Sequence, residues 1–130
     1  MVRRPAFGYG LAMQSWNLHQ IETPGGSRSP VVLSSDDAAR LVLIALEPGQ
    51  ELGDHEVKEH AFVLVVEGTA QVEASGQSLE ASPGTLLHFR PEERHAVSSR
   101  EGARMLLVLA PWPAPGHYRG GDERLAAPSS

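Results

Sequence analysis

The middle of the chain carries short apolar segments that alternate with turn-forming residues. Apolar runs at positions 41–46, 61–66 and 105–110 are each six residues long, and most of the ten prolines and thirteen glycines fall between residues 24 and 121. Such spacing leaves few windows long enough for an average helix. The pattern therefore predicts a series of short β-strands.

Nine segments have the composition and the alternation of strands. The predicted strands are 29–34, 38–46, a short piece around His55, 61–68, 69–74, 77–81, 85–89, 95–99 and 103–110. A capped helical start at Ala38 is the alternative for the second segment, since Ser and Asp precede it. Many short strands at spacings of about ten residues indicate an antiparallel all-β sandwich or barrel with few or no helices.

The clearest local pattern is a hairpin between residues 70 and 81. Ser75 and Gly76 suit a two-residue turn between two strands that alternate in polarity. One face of this hairpin is predicted to point into the core, with Ala70, Val72, Leu79 and Ala81.

The two ends of the chain differ from this middle in composition. Residues 1–28 are predicted to form an N-terminal arm that acts as a swapped or edge strand, residues 29–112 the barrel, and residues 113–130 a partly disordered tail. Open β-sandwiches leave unpaired edge strands, so we expect a homodimer in which the arm covers a neighbour's edge.

Composition narrows the possible chemistry. The chain of 130 residues has no cysteine, which excludes disulfides, thiolate metal sites and a cysteine nucleophile. A net charge of -5 without a basic cluster argues against a nucleic acid partner. The apolar runs are far shorter than the roughly 20 residues of a membrane helix, and the N-terminus lacks a continuous apolar signal segment. We therefore expect a cytoplasmic protein with no membrane partner.

Two glycine-to-histidine spacings carry the strongest functional signal. Five residues separate Gly49 from His55, Gly68 follows thirteen residues later, and His95 lies eleven residues after Gly84. These spacings resemble the two motifs of the cupin superfamily, G(X)5HXH(X)3,4E(X)6G and G(X)5PXG(X)2H(X)3N, over roughly residues 40–110. The resemblance implies a small jelly-roll barrel with both histidines at its mouth. It also implies, for many members, one divalent metal (Fe, Mn, Ni or Zn) held by three histidines and a glutamate.

The chain departs from those motifs at several positions, two of which are ligand positions. Val57 stands where the second histidine belongs, Ala61 where the glutamate belongs, and Ser99 where the asparagine belongs. Only His55 and His95 carry over. Because an apolar side chain has no lone pair to donate, another residue would have to complete a metal site.

Glu59 and His60 are the two candidates for that missing ligand. Two histidines with one carboxylate would form a facial triad of the kind that holds Fe(II). The alternative is that Glu59 belongs to an ordinary solvated charge run with Asp54, Glu56 and Lys58.

The resemblance also predicts a pocket beside the two histidines. Val57, Ala61, Val63 and His88 are its expected lining residues, although His88 can instead be a half-buried packing residue. His117 is predicted at the surface, with the alternative that it closes over the barrel mouth together with Trp112.

Three hypotheses on function follow from these residues. The first is a small-molecule-binding single-domain cupin with a pocket around His55 and His95. The second is a metal-dependent oxygenase or isomerase that uses those histidines with Glu59 or His60. The third is a structural protein whose barrel is filled by side chains. The loss of two expected ligands makes the pocket more apolar and favours the first.

Overall fold

A computed structural model describes residues 13–23 and 30–117, and within these ranges the chain forms nine strands and no helix. The strands are β1 (Val31–Ser35), β2 (Arg40–Leu46), β3 (Glu51–His55), β4 (His60–Gly68), β5 (Ala70–Ala74), β6 (Gln77–Ala81), β7 (Leu86–Phe89), β8 (His95–Ser98) and β9 (Ala103–Ala110). All strand pairs are antiparallel. The predicted all-β class is confirmed. The described residues contain no helix that is long and apolar enough to cross a membrane.

The strands form two sheets that enclose one apolar core. The five-stranded sheet has the order β1-β2-β9-β4-β7, and the four-stranded sheet has the order β3-β8-β5-β6. The chain passes between the sheets at every connection except β1 to β2 and β5 to β6, as expected of a jelly roll. Along β9 every second side chain is buried, which places Met105 and Leu109 in the core.

The β5–β6 hairpin forms as predicted, with one exception on its core face. Ser75 and Gly76 both have positive φ (53° and 74°), which a two-residue I′ turn requires. Leu79 pairs with the buried Val72 yet remains 51% exposed. Because β6 is an edge strand, it has a neighbour on one side only, and the prediction of Leu79 as a core residue is corrected.

A turn, and not the alternative helix at Ala38, connects β1 to β2. Asp36 Oδ1 accepts hydrogen bonds from the backbone N–H groups of Ala38 (2.9 Å) and Ala39 (3.3 Å). The side chain therefore does cap the chain locally, but it caps a turn that leads directly into β2.

The end of the barrel away from the histidines is closed by a tight crossing of two glycines. A Cβ atom at Gly68 (φ +73°) would lie 2.0 Å from the carbonyl oxygen of Gly102, so only glycine fits. Ser99 Oγ donates to the carbonyl oxygen of Thr69 (2.5 Å) and accepts from the backbone N–H of Gly102 (2.8 Å). The residue at the motif's asparagine position thus ties two loops together.

Residues 13–23 contain no strand and lie on the outer face of the five-stranded sheet. Arg104 Nη1 holds this segment by donating to the carbonyl oxygens of Leu18 (3.1 Å) and Ile21 (2.8 Å). The rest of the predicted arm, residues 1–12 and 24–28, and the tail from residue 118 onward lie outside the described residues.

Candidate functional site

A bulge in β3 brings His55 to the inside of the barrel. Leu52 pairs with Val97, and His55 pairs with His95. The two paired positions are three residues apart in β3 but only two residues apart in β8. Side chains alternate between faces of a regular strand, and a separation of three would put Leu52 and His55 on opposite faces. The additional residue of the bulge lets both point inward.

His55 and His95 meet across the two strands. Their ring centroids are 4.4 Å apart, and the ring planes are inclined at 61°. Nδ1 of His55 lies 2.6 Å from the carbonyl oxygen of Gly53, and Nδ1 of His95 lies 2.9 Å from that of Glu93. Because a carbonyl only accepts, both Nδ1 atoms donate their proton, and in the neutral Nδ1–H tautomer of imidazole Nε2 carries a lone pair. The Nε2 atoms of His55 and His95 form no hydrogen bond to another described residue.

Two neighbours fix the position of the His95 ring. Phe89 stacks on it with a centroid distance of 4.0 Å and an interplanar angle of 5°. The Glu93 side chain accepts hydrogen bonds from Ser75 Oγ (2.6 Å) and from the Arg90 backbone N–H (2.9 Å), which holds the loop that presents the Glu93 carbonyl. The bond from Ser75 and, to a smaller extent, the bond from Arg90 hold the pKa of Glu93 below its usual value.

Burial affects the protonation of His95. The side chain is only 5% exposed, and burial lowers its pKa from the ordinary value of 6.5. The hydrogen bond to the Glu93 carbonyl opposes this change, and the adjacent His55 adds to it, because two imidazolium charges at this distance repel. His95 is therefore neutral near pH 7.

Both histidines line a small cavity between the two sheets. Nine of its eleven lining residues are apolar, and His55 and His95 are the other two. The lining includes Val57, Ala61 and Val63, all three predicted from sequence. The cavity volume is about 30 Å³, enough for a water or for one small end of a larger molecule.

Glu59 is buried in a separate hydrogen-bond network. Its side chain has no exposed surface, and Oε2 accepts from the Ala114 backbone N–H (3.0 Å) and pairs with His117 Nδ1 (2.7 Å). Trp112 packs edge-on against His117 with centroids 4.6 Å apart. Glu59 thus holds the segment 111–117 against the barrel. The prediction of His117 as a surface residue is corrected, because its side chain is only 7% exposed.

His60 and His88 form a second pair on the outer face of the five-stranded sheet. Ala61 and Val63 point inward, so alternation turns the neighbouring His60 outward. His60 Nδ1 lies 2.9 Å from His88 Nε2, and His88 stacks on Phe62 with centroids 4.5 Å apart. The predictions of His60 as a ligand and of His88 as a pocket residue are corrected by this placement.

Comparisons with known proteins identify the family. The family model described as "Cupin domain" matches residues 42–110, more than half of the chain. The chain belongs to the cupin domain family. A search of curated proteins gave no match.

Solved cupin-like structures share the fold at low sequence identity. A conserved protein of unknown function from Streptococcus pyogenes aligns with a TM-score of 0.66 at 21% identity, over 75% of this chain and 86% of that one. A cupin superfamily protein from Desulfitobacterium hafniense gives 0.66 at 18% identity, over 72% and 85%. A protein with a double-stranded β-helix domain from Klebsiella pneumoniae gives 0.66 at 20% identity, over 78% and 93%.

The donor set of this cupin does not fit a resident metal held by three or more protein ligands. Val57 and Ala61 line the cavity where the motif would supply an imidazole and a carboxylate. Glu59 and His60, the two candidate replacements, are turned to other partners. The described residues contain no group of three or more His, Asp or Glu that could hold a metal ion.

The charged residues beside the cupin mouth pair with one another. Arg94 contacts Asp54 (3.0 Å) and Glu56 (3.5 Å), and Lys58 contacts Glu92 (2.8 Å). These bonds raise the pKa of Arg94 and lower that of Glu92. Three members of the alternative charge run, Asp54, Glu56 and Lys58, therefore form ion pairs that are at least partly exposed, whereas Glu59 is buried. The cavity lining carries no Lys, Arg, Asp or Glu.

Proposed function

We propose that this cupin binds a small molecule in the cavity between its two sheets. The observation that carries the proposal is the combination of a mostly apolar lining with two imidazoles as its polar groups. Ligand sites in proteins commonly have this composition, in which apolar contacts supply affinity and a few polar groups fix orientation. His55 and His95 orient the ligand.

The alternative of a metal-dependent oxygenase or isomerase has less support. An open metal site requires about three protein ligands, and among the described residues His55 and His95 supply the only side-chain nitrogen or oxygen donors that line the cavity. The proposal therefore assigns no step to a metal.

We also propose a homodimer. The outer strands β1, β7, β3 and β6 each have a neighbour on one side only within the described residues, and Leu86 on β7 is 65% exposed. Such edges favour pairing with another chain. Size-exclusion chromatography with light scattering tests this proposal, since a monomer at all concentrations contradicts it. An unchanged dimer after removal of residues 1–28 assigns the contact to the barrel instead of the arm.

The binding proposal is tested by the small molecules that copurify with the protein. Native mass spectrometry of the wild type should show an added mass that denaturation releases. Ala61→Val narrows the cavity and should abolish this adduct, because Ala61 is buried in the lining.

Ala96→Val is the matched control, since Ala96 lies on β8 but outside the cavity. The control should keep the adduct. A wild type without bound ligand and without any thermal shift in a metabolite screen contradicts the proposal, as does an adduct that survives in a folded Ala61→Val variant.

A further inference from the structure

The hydrogen-bonding state of the two cavity histidines defines the kind of ligand they can accept. Resting on the proposed function, we infer that the cavity selects neutral ligands that donate a hydrogen bond, such as a hydroxyl or amide N–H beside a short apolar group. Carboxylates and phosphates are excluded. The inference depends on three observations: the bonds already made by each imidazole, the charges at the mouth, and the size of the cavity.

Backbone carbonyls already accept the Nδ1 proton of each ring. His55 Nδ1 donates to Gly53 and His95 Nδ1 donates to Glu93. Each ring is left with Nε2, which in neutral imidazole is an acceptor. A ligand must therefore supply the proton of any hydrogen bond it forms with the pair.

The cavity also lacks a cationic side chain. None of the eleven lining residues is Lys or Arg. The nearby Arg94 and Lys58 are engaged at the rim by Asp54, Glu56 and Glu92. Moving an anion from water into an apolar cavity without a paired cation is strongly unfavourable.

The size of the cavity limits the part of a ligand that can enter. A volume of about 30 Å³ is smaller than an aromatic ring requires. Val57 and Val63 supply apolar contact beside the imidazoles. A group of about methyl size with an adjacent donor fits this volume, and the rest of a larger ligand lies toward the mouth.

Two matched pairs of probes test the inference. Propan-2-ol and 2-methoxypropane differ in the donor, and isobutyramide and isobutyrate differ in the charge. Binding is followed by the imidazole ¹⁵N shifts of His55 and His95 and by the methyl shifts of Val57 and Val63. The alcohol and the amide should bind at least tenfold more tightly than the ether and the carboxylate.

The outcomes separate this inference from the proposed function. If none of the four probes shifts these resonances near its solubility limit, both the proposed function and the inference are overturned. If the ether or the carboxylate binds as tightly as its partner, the cavity binds small molecules, but the selectivity inferred here is wrong.

Variants of the histidines provide a second measurement. His55→Phe and His95→Phe remove the acceptor but keep a planar ring, and each should reduce the preference for the alcohol over the ether at least threefold. His88→Phe, on the outer face and also stacked on a phenylalanine, should leave that preference unchanged. A preference that persists in both cavity variants overturns the inference. If His95→Phe does not fold, His55→Phe still provides the test, because His55 is only half-buried and its replacement disturbs the core less.

Discussion

Two cross-strand histidine pairs lie on different sheets of the barrel, one pair facing the inside and the other the outside. The inner pair is His55 and His95, with Phe89 stacked on His95 at 4.0 Å. The outer pair is His60 and His88, with Phe62 stacked on His88 at 4.5 Å. Both pairs therefore contain the same residue types in similar contacts.

Their hydrogen bonds differ because of the face on which they lie. The inner rings donate to carbonyls of their own chain segments, and their Nε2 atoms have no hydrogen-bond partner among the described residues. The outer rings bond to each other, at 2.9 Å, and both are exposed to water. The comparison teaches that residue type alone does not make a binding group. Lower exposure and Nδ1 protons that are already bonded to carbonyls distinguish the inner pair from the outer pair.

The stacked phenylalanines should give the largest difference between the two pairs. Phe89 is 4% exposed, so Phe89→Ala should lower the free energy of unfolding by about 3–5 kcal/mol. The half-buried Phe62 loses fewer contacts, and Phe62→Ala should cost about 1–2 kcal/mol. Urea denaturation measures the free energy of unfolding of both variants, fitted with the same m value as the wild type. Equal costs would remove the distinction between inner and outer faces.

A second comparison concerns histidines that pair with a carboxylate. Glu59–His117 is buried and Glu67–His19 is exposed, and both pairs have a 2.7 Å contact. Glu59→Gln weakens charge-assisted bonds in a dry site and should cost about 1–3 kcal/mol. Glu67→Gln should cost less than about 1 kcal/mol because water screens the exposed pair.

Urea titration at pH 7 with each variant measures this difference. If Glu59→Gln is as mild as Glu67→Gln, Glu59 does not hold the segment 111–117. Hydrogen exchange of the Ala114 amide provides an independent check, since the charge-assisted bond to Glu59 should slow its exchange more in the wild type than in Glu59→Gln.

The protonation of the inner pair should appear in the pH dependence of stability. Burial lowers the pKa of His95 in the folded state, so below pH 6.5 the unfolded chain takes up a proton that the folded chain does not. The free energy of unfolding should therefore fall as the pH decreases through 6.5 and level off below the folded-state pKa. His95→Phe should flatten this slope.

His88→Phe is the control for that measurement. It removes a histidine with the same type of aromatic neighbour on the exposed face. The slope between pH 7 and 5 should match that of the wild type. An unchanged slope in His95→Phe would show that this histidine is not the group whose protonation opposes folding.

The smallest effect is expected from the exposed member of the outer pair. His60→Ala removes one partner of a hydrogen bond that water can replace, and the stability should change by no more than about 0.5 kcal/mol. Imidazole ¹⁵N spectra should then show His88 free to exchange between tautomers, whereas His55 and His95 keep the Nδ1–H form. A larger loss of stability would indicate that the outer pair has a structural role.

Much of the fold follows from local patterns in the chain. The strand positions were predictable because Gly and Pro mark the turns and the apolar runs are short, as in the hairpin at Ser75-Gly76. Leu79 was misassigned because alternation gives the face of a strand but not whether a second sheet covers it. That cover depends on residues far away in sequence.

The candidate site was predictable only in part. The glycine spacings indicated His55 and His95, and Val57 and Ala61 followed as their apolar neighbours. Glu59 and His60 could not be assigned, because residues 56–59 lie between strands and a turn removes the alternation that predicts direction. The stacking of Phe89 on His95 had no local signal, since the two residues come from strands in different sheets.

The sequence by itself determined the strand composition of this cupin, the turns that separate the strands and the apolar residues that replace two motif ligands. Tertiary structure alone decided which polar groups share a space. The β3 bulge turned His55 inward, and the segment 111–117 engaged Glu59 through Ala114 and His117. The physical reason is range: turn chemistry and alternation act over a few residues, whereas burial and pairing depend on which surfaces the two sheets bring into contact.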